Sequence, residues 1–120
     1  MKSRYLLLAT SVLLFAAAVV LNRSTAQDAP RRIEVTASKF AFTPGELTLK
    51  KGQPVVLVLK SADVAHGLRF RELNVNVKAD KGSSGEVSFT PDKTGDFVGH
   101  CSVFCGSGHG SMELTLHVVE

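Results

Sequence analysis

Once its first 26 residues are set aside, the sequence has no excess of basic charge, and this excludes a large class of partner. Lys2, Arg4 and Arg23 are three of the 14 basic residues, whereas all 11 acidic residues lie beyond Ala26, so the remainder carries 11 of each sign. There is neither a basic excess nor a basic stripe interleaved with aromatics, and no nucleic-acid partner is expected. Arg31-Arg32 and Lys50-Lys51 read as solvated charges at strand ends. No internal repeat or low-complexity tract occurs, and beyond the N-terminal run no stretch shows the 3.6-residue period of a helix. There is one long hydrophobic run and no second. Cysteine is confined to Cys101 and Cys105, which allows at most one disulfide within the chain.

The single hydrophobic run extends from Leu6 to Leu21, with only Thr10 and Ser11 polar, behind Lys2 and Arg4. A basic start, an apolar centre and small residues at Ser24 and Ala26 are the layout of a secretory signal. The run is slightly short for a full membrane span, and Arg23 stands close to the point of cleavage. Residues 1–26 are therefore read as a signal peptide or a single-span signal anchor helix, with both alternatives open. Either one exports residues 27–120 to the periplasm or the outer face of the cytoplasmic membrane, because the positive end stays inside.

Residues 27–32 form a short polar linker, and residues 33–120 suffice for one hydrophobic core. Here the period is 2. Ile33 and Val35, Phe40 and Phe42, and Leu47 and Leu49 alternate with polar neighbours, as in half-buried antiparallel strands. Thr43-Pro44-Gly45 and Lys51-Gly52-Gln53-Pro54 are turns, and Val55 to Leu59 is the unbroken apolar run of a strand buried on both faces. Short strands are expected at 66–70, 73–77 and 86–90, with further strands over 97–99 and 113–119. Seven or eight short strands without a helix predict a β-sandwich.

The chemistry gathers in the stretch Cys101-Ser102-Val103-Phe104-Cys105-Gly106-Ser107-Gly108-His109-Gly110-Ser111-Met112. Two cysteines in an exported domain would ordinarily pair as a disulfide. Here an imidazole and a thioether lie beside them, separated by small residues that let the backbone curl around a common centre. Thiolate and thioether donors select copper over hard cations, and zinc rarely recruits methionine. His66, in Asp63-Val64-Ala65-His66-Gly67, supplies the missing partner, so His66, Cys101, Cys105, His109 and Met112 are expected to converge. His100 neighbours Cys101 and should face away from it, and His117 occupies an alternating polar position. Both are read as structural.

The pattern Cys-Ser-x-x-Cys-Gly-x-x-His-x-x-Met, preceded by a histidine in an Asp-Val-x-His context, resembles the dinuclear CuA site of cytochrome c oxidase subunit II and of the C-terminal domain of nitrous oxide reductase. The resemblance runs from about Ile33 to Glu120. It implies a Greek-key cupredoxin-like sandwich holding two copper ions bridged by the thiolates of Cys101 and Cys105. It further implies imidazole ligands at His66 and His109, a thioether at Met112 and a backbone carbonyl at Val103. Two-span oxidase subunits resemble Cys-Ser-Glu-x-Cys at this point, where the glutamate also serves a second metal. Val103 keeps a carbonyl but offers no carboxylate, so a Mg or Mn site is not expected and the likeness is to single-span relatives.

Three functions follow. The first is the electron-entry module of a haem-copper oxidase, passing electrons from a cytochrome c or small copper protein towards the haem of the large subunit, with the membrane as a further partner if the N-terminal segment is retained. The second is a stand-alone exported CuA electron carrier or copper-delivery protein. The third is a structural β-sandwich closed by a disulfide. No catalysis by this chain alone is expected, because five side chains and a carbonyl around two copper ions leave no open coordination position.

Overall fold

The computed structural model describes residues 29–120, so the expected leader or anchor over residues 1–26 lies outside the described residues. Nine strands follow in order: β1 (Arg31–Ser38), β2 (Ala41–Thr43), β3 (Glu46–Lys50), β4 (Val55–Ser61), β5 (His66–Phe70), β6 (Val75–Ala79), β7 (Ser84–Phe89), β8 (Gly95–His100) and β9 (Glu113–Val119). Single 3-10 turns at Arg71–Leu73 and His109–Ser111 are the only helical pieces among the described residues. None of these is long and apolar enough to cross a membrane.

The strands form two sheets, one ordered β2-β1-β4-β7 and the other β3-β9-β8-β5-β6. Their facing sides make the core. Along β1 the inward residues are Ile33, Val35 and Ala37; along β9 they are Leu114, Leu116 and Val118, with Glu113, Thr115 and His117 on the other side. Leu57, Leu59, Leu68 and Phe70 lie between them at 1% exposure or less. Each large apolar side chain so buried contributes on the order of 1.5–3 kcal/mol. In β4 the apolar run is buried on both faces at Val58 as well as at Val55, Leu57 and Leu59, as its composition predicts.

Two expectations are corrected. The alternating segments are not all antiparallel: β1 pairs with β4 in parallel, Ile33 opposite Leu57, and β3 pairs with β9 in parallel, Leu47 opposite Leu116. After β2 the chain crosses to the other sheet, lays down β3 there and returns as β4. The connection is thus long enough for parallel pairing, and alternation along one strand carries no record of it. The strand expected over 73–77 instead spans Val75–Ala79. The preceding Arg71–Leu73 closes a 3-10 turn that ends on Asn74 in the left-handed region, at φ 54°. Asparagine tolerates that conformation better than most side chains.

His117 ties three strands of the second sheet together from outside. Its Nδ1 lies 2.6 Å from Asp96 Oδ1 on β8, and its Nε2 lies 3.7 Å from Glu46 Oε1 on β3. The bond to Asp96, supported by the charges of Asp96 and Glu46, raises the His117 pKa above its ordinary value against a smaller opposing effect of burial. A raised native pKa favours the folded state most below the unfolded value of about 6.5, and that contribution is lost as pH rises through the native value. The denaturant midpoint of the copper-free chain is therefore expected to fall between about pH 6 and about pH 9 by more than that of His117→Gln. Equal falls in the two proteins would show that the His117 contacts do not stabilise the fold.

Candidate metal centre

The twelfth position of the cysteine stretch meets the first. Cys101 follows directly on β8 and Met112 directly precedes β9, and the Cys101 N–H donates to the Met112 carbonyl at 3.2 Å. This bond extends the β8–β9 ladder by one rung and makes the stretch between them a closed loop at one end of the sandwich. Inside the loop, N–H groups of His109, Ser111 and Met112 donate to the carbonyls of Gly106, Gly108 and His109, which winds the His109 turn. Gly106 sits at φ 137°, a region that glycine enters without strain.

His66 opens β5, the neighbour of β8, with Arg69 opposite His100. At this end the Ser102 N–H donates to the Gly67 carbonyl at 3.2 Å. A methyl group at Gly67 would come within 2.1 Å of the Ser102 hydroxyl and 3.1 Å of the Val103 side chain, so any residue larger than glycine would make Ser102 turn aside where the two segments meet.

The side chains expected to converge do so. Cys101 Sγ and Cys105 Sγ are 3.7 Å apart, and both thiols are free and buried. That separation is nearly twice a disulfide bond, so the disulfide alternative is not what the fold adopts. His66 Nδ1 lies 4.0 Å from Cys101 Sγ, and His109 Nδ1 lies 3.8 Å from Cys105 Sγ. Met112 Sδ is 3.8 Å from Cys105 Sγ and its side chain is fully buried. The Cys101 thiol donates to the Val103 carbonyl at 3.1 Å. The ligand atoms of His66, Cys101 and Cys105 lie within 4.8 Å of one another. His100 is outside this group; it faces outward, 3.6 Å from Glu113.

Two supporting residues were not recognised from sequence. Asp63 was legible only as context for His66. Its Oδ1 accepts from His66 Nε2 at 2.6 Å and from the Val64 N–H at 2.7 Å, and its Oδ2 accepts from the Lys39 N–H at 2.8 Å. The Lys39 bond first, and the His66 ring next, hold the Asp63 carboxyl at about 2. A carboxylate has no proton to give, so the proton of this contact belongs to Nε2, and Nδ1 is left with its lone pair towards Cys101. Ser61 Oγ donates to the Val64 carbonyl and accepts from the Asp63 N–H at 3.3 Å, which fixes the turn carrying the carboxylate. The second is Phe40, whose ring packs against the loop: a methyl group at Gly106 or Gly108 would come within 2.9 Å or 2.5 Å of it. A signal for Asp63 did exist, since aspartate readily bonds backbone N–H groups just beyond itself in turns. Nothing local pairs Phe40 with glycines so far along the chain.

The donor set decides which metal suits the site. Two sulfurs, a thioether and two imidazole nitrogens are soft or intermediate donors, and the nearby carboxylate is already occupied by three N–H groups. Calcium and magnesium require oxygen ligands, whereas copper takes all of these donors. Burial, with the Cys101 thiol alongside, pushes the Cys105 thiol up to about 11.

The sequence matches the cupredoxin-like domain family over residues 10–112. Cytochrome c oxidase subunit 2 of Thermus thermophilus is 31% identical over 88 residues, covering 73% of this chain and 65% of that protein. Nitrous-oxide reductase of Cupriavidus necator is 33% identical over 90 residues, 72% of this chain and 14% of the reductase. The chain therefore spans only part of the length of these relatives. The periplasmic domain of subunit II of cytochrome oxidase from Bradyrhizobium japonicum shares the fold, with a TM-score of 0.70 at 23% identity over 78% of this chain and 87% of that one. Sandwich, soft-donor loop and homologues agree: the chain belongs to the cupredoxin-like domain family, with cytochrome c oxidase subunit 2 and nitrous-oxide reductase among its homologues.

Proposed function

We propose that this chain is a copper electron-transfer module that holds two copper ions in a dinuclear CuA centre and works as the electron-entry domain of a haem-copper oxidase. The observation that supports this most directly is the gathering of donors around two neighbouring free thiols, with a His66 Nδ1 and the Val103 carbonyl beside Cys101 and a His109 Nδ1 and the buried Met112 thioether beside Cys105. In this reading the thiolates of Cys101 and Cys105 would hold both ions, helped by His66 and His109 through Nδ1, Met112 through sulfur and Val103 through its carbonyl oxygen. Copper, when bound, supplies one-electron redox chemistry.

The remaining work falls to the chain. The neighbouring strands β5, β8 and β9 carry the donors or the ends of the loop that holds them, so the scaffold sets the donor positions. Asp63 fixes the tautomer and orientation of His66, and Phe40 backs the loop. A rigid cage keeps donor positions nearly constant as charge changes, and small rearrangement favours fast electron transfer over catalysis. The cytochrome c or small copper protein expected as donor, the large oxidase subunit expected as acceptor, and an exported or periplasmic location belong to the same proposal. The homologies to oxidase subunit 2 support it.

Loading the full chain with copper is expected to give two ions per chain and, when oxidised, a seven-line hyperfine pattern in electron paramagnetic resonance. One ion per chain with a four-line pattern would remove the dinuclear assignment. Among substitutions, Cys105→Ser should abolish the paired site, because a hydroxyl does not bridge as a thiolate does, whereas Met112→Leu should keep both ions and change the reduction potential. Metal analysis and voltammetry of the two variants check this; copper loss from Met112→Leu with retention by Cys105→Ser would reverse the ligand roles. Asp63→Asn should weaken copper affinity by about tenfold to a hundredfold by freeing the His66 ring. Competition with a copper chelator measures it, and unchanged affinity would leave Asp63 with a purely structural part.

A further inference from the structure

Beside the metal centre lies a cleft of about 430 Å³ lined by Arg69, Arg71, His100, Cys101, Ser102 and His109. Arg69 is the one outward residue of β5, and its partner across the ladder, His100, is outward on β8. Arg71 is exposed at the start of the following 3-10 turn. Among the described residues neither arginine takes part in an ion pair. The acids nearby are committed or offset: Glu113 faces His100 at 3.6 Å, Asp63 turns inward to His66, and Glu72 adjoins Arg71 in the chain. Two permanent cations are thus left facing solvent side by side, although residues 27–120 as a whole, these two included, carry equal numbers of basic and acidic residues. On the rim stands Phe104, 79% exposed, its ring 5.7 Å from that of His109.

We propose that this cleft docks a protein partner through acidic side chains, with Arg69 and Arg71 receiving the carboxylates and Phe104 filling an apolar recess. A small anion would need the arginines but gains nothing from an exposed phenyl ring. Arginine and aromatic side chains together are the pair that dominates protein interfaces, and arginine receives carboxylates in a two-point fork. A partner seated here touches the wall formed by Cys101 and His109. That the partner is a redox protein rests on the proposed function; that it is acidic does not.

The test uses the full chain, copper-free and copper-loaded, titrated into a fluorescein-labelled hexaglutamate peptide at low ionic strength, with binding followed by anisotropy. Arg69→Gln/Arg71→Gln is expected to weaken binding about tenfold. Arg69→Lys/Arg71→Lys should recover most of it. Lys50→Gln/Lys51→Gln, the same charge change at the far end of the sandwich, should stay within about twofold of the unsubstituted chain. Equal losses in the two neutralised variants, or none in the arginine variant, overturn the inference. So does inorganic phosphate that displaces the peptide as well as unlabelled hexaglutamate does, since the cleft would then be a small-anion site. Copper content of the arginine variant should match the unsubstituted chain; a fall would place the arginines in the metal centre instead. Because the copper-free chain is measured too, failure of the copper assignment and failure of the docking surface give different results.

Discussion

Everything about the candidate centre depends on the hydrogen bond by which Cys101 and Met112 close the loop between β8 and β9. It places a thiol and a thioether at opposite sides of one rung. The two strands that leave this rung insert Phe97, Leu114, Leu116 and Val118 into the core. The donors are thereby fastened to the most heavily buried part of the molecule. Met112, with no exposed surface, is at once a core side chain and a candidate donor at the site. Disturbing the rung would cost the loop its geometry and the sandwich some of its packing, so the site and the fold share their stability.

A second constraint comes from the corner between β1 and β2. Lys39 donates its N–H to Asp63, and the adjacent Phe40 covers Gly106 and Gly108. One corner of the first sheet therefore braces both halves of the site, the histidine that opens β5 and the glycine-rich loop. The braces differ in kind. The first is a charge-assisted hydrogen bond that fixes the direction of an imidazole lone pair, and the second is shape: a flat ring accommodated only because two residues lack side chains. Both limit how far the donors move without touching the donor atoms themselves.

Burial has an electrostatic consequence. The thiol of Cys105 is held in its protonated form by desolvation and by its neighbour Cys101, so a metal ion that takes the sulfur must displace a proton. Asp63 behaves in the opposite sense, since three N–H donors keep it ionised. The same fold thus makes a neutral pocket for the Cys105 sulfur and a charged bracket behind one imidazole. On the cleft side Ser102, His109 and the arginine pair share a wall with Cys101, and the exposed Phe104 ring stands beside His109.

The sequence by itself determined the β class and singled out the candidate donors. Period-2 alternation through Ile33, Val35, Leu47 and Leu49 leaves no helical face to bury, and two thiols, an imidazole and a thioether spaced by glycines have few uses other than a soft metal. The turn positions and the run Val55 to Leu59 were legible for the same local reasons. Tertiary structure alone decided that β1 lies parallel to β4 and β3 parallel to β9, because one strand's alternation is the same whichever way its neighbour runs. It alone decided that Cys101 and Cys105 stay apart as free thiols, since only the fold sets the distance between two side chains. Lys39, Phe40, Asp63, Arg69 and Arg71 acquired their places around the centre in the same way. Each is an ordinary residue in its own segment, and its part follows from contacts between segments that folding brings to one end of the sandwich.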